Sequence, residues 1–259
     1  MSRIESFELP IEPFVQSPRK VWVYLPDSYD HTKKKYDVLY MFDGHNLFLD
    51  ELATYGKSWG IKDYLDKTKA DLVVIGQDCS HHGEDRMSEY CPYLAEPILW
   101  NGEKMTARGD ITARWFVEVL KPYCEQHYRI YRSRNHVGIA GSSMGGLMSM
   151  YFITAYNKVF SKAACVSPSV YFCEEQMREL IEKTAFAENT RIYLDMGSEE
   201  VAGKQDLVLY LGRLLEFAAM YEIEGCHTFP HLVKDGRHCE ASWETIVPLF
   251  LKYLYPELF

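Results

Sequence analysis

Residues 141–145, Gly-Ser-Ser-Met-Gly, set Ser143 two positions from a glycine on each side. That spacing suits a hydroxyl nucleophile carried on a very tight turn from a strand into a helix. The serine is then held in a strained conformation, and a side chain two positions away would collide with the crossing backbone. The same turn places the backbone N–H of Met144 at a helix start, where it can stabilise an oxyanion. Because the spacing also arises by chance, its setting decides. An apolar, strand-like run at 136–140 precedes it and a helical run at 147–156 follows, as such a turn requires. The chemistry implied is attack of Ser143 Oγ on an acyl carbonyl.

A nucleophilic serine needs a general base and a carboxylate to orient it, in the chain order serine, acid, histidine. Six of the nine histidines precede Ser143. His238 ends the turn-rich stretch Lys234-Asp-Gly-Arg-His238, a placement that suits a base reaching across to the serine. His227 and His231 lie in a strand-like stretch and read as packing residues. Three carboxylates follow the apolar run 191–195: Asp195, Glu199 and Glu200. Asp195 lies within the run, whereas Glu199 and Glu200 lie on the loop after it, which favours the loop pair without separating them.

Other reactive residues have plainer readings. His81-His82, with Asp78, Glu84 and Asp85 nearby, has metal-ligand residue types, but adjacent histidines rarely bind one ion together, and a polar loop is expected. Pro230 spoils a helical pairing of His227 with His231. Cys239 beside His238 reads as a bystander thiol. Arg86 and Glu89 suit a local ion pair, and Trp243 is either pocket wall or helix packing. Neither a metal nor a cofactor is expected.

The elements that must position Ser143 are legible in the apolar pattern. Strands are expected at 21–25, 38–42, 72–75, 136–140, 163–166, 191–195 and 227–232. Helices are expected at 59–67 behind a Ser58 cap, from an Asp110 cap onward, and at 147–156, 174–186, 205–221 and 242–253, with Pro248 kinking or restarting the last. Residues 77–109 show no strong period, and loops of that length are usually functional or hold short helices. Strands alternating with helices imply an α/β fold, a mostly parallel sheet covered on both faces, with ligands at the strands' C-terminal edge.

Composition sets outer limits. The 259 residues are 47% hydrophobic, enough for a substantial core, and one domain over 1–259 is expected, with no repeat or linker. The formal net charge of -9 argues against a nucleic-acid partner. No apolar run approaches the ~18 residues of a membrane span. Residues 1–10 do not read as a secretory signal, and seven cysteines without C-x-x-C spacing suit a reducing cytoplasm.

The chain resembles the Putative esterase family, which includes enterochelin esterases, esterase D-type hydrolases, feruloyl esterases and mycolyltransferases. The resemblance rests on Val38-Leu-Tyr-Met-Phe-Asp-Gly44, Arg86 with Glu89-Tyr90, Leu120-Lys-Pro122, Ile139-Ala-Gly-Ser-Ser-Met-Gly-Gly-Leu147, Phe160, Ser167-Pro-Ser169, Gly197 with Glu200, and Gly236-Arg-His238 with Trp243. It spans roughly residues 18–255, and 43–48 look most like the enterochelin-esterase branch.

The resemblance implies an α/β-hydrolase fold without a large lid. It also implies Glu200 as the acid and the backbone N–H of His45, beside that of Met144, as the second oxyanion donor. It favours pocket roles for Arg86 and Tyr90, and Trp243 stands beside them as a substrate-binding candidate. The expected substrate is a small-molecule ester hydrolysed through an acyl-enzyme on Ser143. The alternatives are an acyltransferase with the same three residues and a non-catalytic binding module.

Overall fold

The apolar runs become one eight-stranded sheet in the order β1-β2-β4-β3-β7-β8-β9-β10. The computed structural model describes residues 1–14, 18–94 and 97–259. The strands are β1 (Arg3–Leu9), β2 (Arg19–Leu25), β3 (Asp37–Phe42), β4 (Leu72–Gln77), β7 (Val137–Ser142), β8 (Lys162–Val166), β9 (Arg191–Gly197) and β10 (His227–Val233), while β5 (Ile98–Trp100) and β6 (Glu103–Met105) pair only with each other. β1–β2 and β2–β4 are antiparallel, and every pairing from β4 to β10 is parallel. β3, β4, β7 and β8 are buried at every position, which is why they read as continuous apolar runs.

Helices cover both faces: α1 (Ile61–Thr68), α2 (Asp85–Glu89), α3 (Gly109–Trp115), α4 (Lys121–His127), α5 (Met144–Ala155), α6 (Glu174–Lys183), α7 (Lys204–Ile223) and α8 (Glu240–Leu254). Two cores result. One packs α5, α6 and α7 against the sheet through residues such as Phe152, Ile181 and Phe217. The other packs α1 and α8 on the opposite face through Leu65, Phe250 and Leu254. α5 is apolar around nearly its whole circumference and buried from Met144 to Thr154, the pattern of a helix enclosed by the fold.

Several local expectations shift. β1 is an edge strand that the apolar pattern does not predict: Ser6 and Glu8 are exposed, while Phe7 and Leu9 lean on the core. Ser58 does not cap α1; its hydroxyl donates to Asp50 at 2.7 Å, and Gly60 in the left-handed region starts the helix. Asp110 lies inside the first turn of α3 behind Arg108, and a π-helical turn, Phe116–Leu120, carries the chain into α4. α8 runs on through Pro248. The stretch 77–109 holds α2 and the β5–β6 pair, as long loops with internal structure do.

Candidate active site

At the C-terminal end of β7 the chain turns abruptly into α5, and Ser143 occupies that turn with φ 57° and ψ −120°. A non-glycine residue at such a φ is held only where its surroundings over-determine it. Here Ser143 N–H donates to Val166 O at 2.9 Å, while Ser143 O accepts from Leu147 N at 3.0 Å and Ser169 N at 3.1 Å. A Cβ on Gly141 would stand 2.7 Å from the Gly145 carbonyl, so the crossing of strand and helix requires glycine there. The turn thus presents Ser143 Oγ above the sheet edge and starts α5 at Met144.

The loops after β9 and β10 bring Glu200 and His238 together. These loops touch through Gly197 and Gly236, where a Cβ on Gly197 would lie 2.2 Å from Gly236 O. Glu199 N–H donates to Gly236 O at 2.8 Å and Ser198 N–H to Val233 O at 2.9 Å. This seam sets His238 Nδ1 2.9 Å from Glu200 Oε2. Glu200 Oε1 accepts from Gly197 N–H at 2.6 Å and from Ser167 Oγ at 2.5 Å. The other two carboxylates point elsewhere. Glu199 pairs with exposed Arg237 at 2.9 Å. Asp195 is buried, accepting from Ser167 N–H at 3.0 Å and Tyr193 OH at 2.9 Å, and burial pushes its carboxyl up to about 7.

Ser143, Glu200 and His238 line one cleft of about 420 Å³. Ser143 Oγ lies 3.2 Å from Ser169 Oγ, its one hydrogen-bond partner among the described residues. Ser143 and His238 face the same cleft without a hydrogen bond between them among the described residues, and such contacts often tighten only when a ligand is bound. The cleft wall is largely apolar and aromatic, with Met87, Trp100, Tyr171, Leu214 and Phe217 on it.

His45 sits in a 3₁₀ turn, Gly44–Asn46, directly after β3, with Asp43 at φ 57° leading into it. Asn46, for which the sequence suggests no role of its own, ties this turn to its neighbours: its Oδ1 accepts from Thr54 N–H at 2.9 Å and its Nδ2 donates to Glu240 at 3.2 Å. Arg86 does not pair with Glu89. It forms a two-pronged bridge to Asp43, 2.7 Å on each arm, while Glu89 pairs with buried Arg19 at 2.7 Å. Burial pushes the Asp43 carboxyl up, but the Arg86 guanidinium outweighs it and leaves the group below its ordinary range. Tyr90 is fully buried, and its oxygen accepts from Gln77 Nε2 at 2.6 Å and Asp43 N–H at 3.4 Å. Arg86 and Tyr90 therefore stand behind the His45 turn, not on the cleft wall. Trp243 packs edge-on to His238 at 5.1 Å and donates to Ser167 Oγ at 3.3 Å, so it backs the histidine.

A mostly parallel sheet in this strand order, with a serine on the strained turn after β7, defines an α/β-hydrolase. Residues 13–246 match the family described as Putative esterase, and the chain belongs to it: it is a carboxylic ester hydrolase of that family. YbbA of Bacillus subtilis (strain 168), itself uncharacterised, is 26% identical over 193 residues, 73% of this chain and 72% of that protein. Among solved structures, the chain is similar to an IroE-like serine hydrolase from Shewanella oneidensis, with 17% identity, TM-score 0.74, and 99% and 80% of the two chains covered. Siderophore hydrolase EstA from Aspergillus nidulans has 16% identity, TM-score 0.73, and 95% and 93% coverage. An S-formylglutathione hydrolase from Agrobacterium tumefaciens has 16% identity, TM-score 0.68, and 100% and 96% coverage. Among the described residues, no helix is long and apolar enough to cross a membrane.

Proposed function

We propose that Ser143, His238 and Glu200 form a catalytic triad that hydrolyses a small-molecule carboxylic ester through an acyl-enzyme. The observation that carries this reading is the 2.9 Å contact of His238 Nδ1 with Glu200 in the cleft that Ser143 also lines. With Nδ1–H donated to Glu200, the other ring nitrogen, Nε2, is a base. It takes the Ser143 proton as Oγ bonds to the ester carbonyl carbon. The carbonyl oxygen, now an anion, receives the backbone N–H groups of His45 and Met144, each worth about 3 kcal/mol to the transition state. Collapse breaks the ester C–O bond, and the alcohol leaves with the proton from Nε2. Water, deprotonated by the same nitrogen, then releases the acid and restores Ser143.

The aromatic wall formed by Trp100, Tyr171 and Phe217 favours an ester with an apolar or aromatic acyl part over a bare acetyl group. The seven cysteines are all free thiols, which suits work in a reducing cytoplasm. The chain is read as one catalytic domain.

A panel of p-nitrophenyl esters of graded acyl size, assayed with wild type and Ser143→Ala, tests the proposal. Hydrolysis confined to wild type and rising from acetyl to larger acyl groups is expected. Equal rates in the two proteins would end it. Ester products formed with an added acceptor alcohol in place of free acid would turn the reading to acyl transfer.

A further inference from the structure

β3 and β4 are parallel neighbours in register, Phe42 beside Gln77, so the turns leaving their ends lie side by side. His45 comes from the first turn; Asp78, Cys79 and His81 come from the second. The four side chains offer one ligand atom each, and those atoms all lie within 4.8 Å of one another. His45 Nδ1 is 2.5 Å and His81 Nε2 3.1 Å from the same oxygen of Asp78, and the two imidazoles meet edge-to-face at 4.6 Å. Beyond the end of β4 successive side chains need not alternate in direction, and the Asp78 carboxylate folds back onto Cys79 N–H at 2.9 Å.

We propose that His45, Asp78, Cys79 and His81 form a binding site for a borderline divalent transition-metal ion, Zn²⁺ foremost. Two imidazoles, a thiol and a carboxylate are a donor set for this class, whereas Mg²⁺ and Ca²⁺ prefer oxygen alone. Tetrahedral zinc with nitrogen, oxygen and sulfur ligands separates its donors by roughly 3.3–3.8 Å. The widest pair therefore needs to close by about 1 Å, while the two nitrogens now on the Asp78 oxygen must draw back from it by up to about 1 Å to admit the ion. His81, with half its side chain in solvent, can supply that movement and the entry path, while the other three are buried.

The protons balance simply. His45 Nε2 lies 2.9 Å from Thr54 Oγ1. Ligation by Nδ1 moves the imidazole proton to Nε2, which then donates to the Thr54 hydroxyl as a supporting contact. Cys79 loses its thiol proton to solvent. Thiolate and carboxylate together then neutralise the ion's two charges. His82, Glu84 and Asp85 take no part: His82 faces Asp85 at 3.6 Å and Glu84 holds Asn101 at 2.9 Å.

Titration of the EDTA-treated full chain with Co²⁺, followed by competition with Zn²⁺, tests the site. Saturation at one Co²⁺ per chain is expected, with the near-ultraviolet thiolate-to-cobalt band and the visible bands of tetrahedral cobalt, all displaced by Zn²⁺. Cys79→Ser should lose the thiolate band. His81→Ala, an exposed change that leaves the core intact, should weaken binding at least about tenfold. Absence of saturable binding, or binding that both variants leave unchanged, would overturn the proposal.

Discussion

Glu200 reaches His238 with one carboxylate oxygen, at 2.9 Å, while Gly197 N–H and Ser167 Oγ hold the other. A glutamate has one more methylene than an aspartate and more rotamers to lose, so a base-orienting role needs such anchoring. Glu200→Gln keeps the size but presents an amide to the imidazole, favouring the wrong tautomer. A fall in kcat of roughly 10³- to 10⁴-fold is expected, the range seen when a triad acid is made neutral. Glu199→Gln, which releases only the surface pair with Arg237, should stay near wild type. The reverse ranking in ester hydrolysis would move the acid to Glu199.

Ser167 links this carboxylate to Trp243, donating to Glu200 and accepting the indole N–H. Ser167→Ala removes one of the contacts that fix Glu200 and leaves the indole without its acceptor. A hydrogen bond to a charged group is worth about 1.5–3 kcal/mol, so kcat should drop about tenfold or more with KM little changed. An unchanged kcat would show that Gly197 N–H alone suffices.

Asp195 makes stability pH-dependent. Burial holds its carboxyl protonated up to about 7 in the folded chain, above the ordinary aspartate value. Between those two values the folded state binds a proton that the unfolded state has released. The stabilisation is therefore full below the unfolded value and lost as pH rises through about 7. The urea midpoint of wild type should fall from about pH 5 to about pH 8, and Asp195→Asn should flatten that fall. Parallel profiles for the two proteins would rule this out.

The Arg86–Asp43 bridge holds the residue that leads into the His45 turn. Arg86→Ala leaves a buried, unpaired carboxylate, and a loss of about 3 kcal/mol in unfolding free energy is expected. Arg86→Lys should recover only part of it, because an ammonium cannot make both parallel contacts. Denaturant titration measures both. Full recovery by lysine would mean that charge alone, without the fork, is what Asp43 needs.

Much of this was legible in the chain. Val38–Phe42 and Leu72–Ile75 announce themselves because strands buried on both faces must be apolar throughout, and the Ser143 turn because its glycines answer a steric demand that only this crossing makes. β1 was not legible: its pairing partner, not its own composition, makes it a strand. Asp195, Glu199 and Glu200 could not be separated by spacing, since they differ in direction. One turns toward Tyr193, one toward Arg237 and one toward His238. The gathering of His45 with Asp78, Cys79 and His81 was likewise hidden, because sheet register brings together turns more than thirty residues apart.

Whether Ser143 is the activated nucleophile is tested most directly by reaction with a fluorophosphonate probe read by intact mass and peptide mapping. One probe per chain, on Ser143, with labelling and ester hydrolysis both absent from a folded Ser143→Ala variant, is the predicted result. A variant that still labels and hydrolyses at the wild-type rate would contradict it.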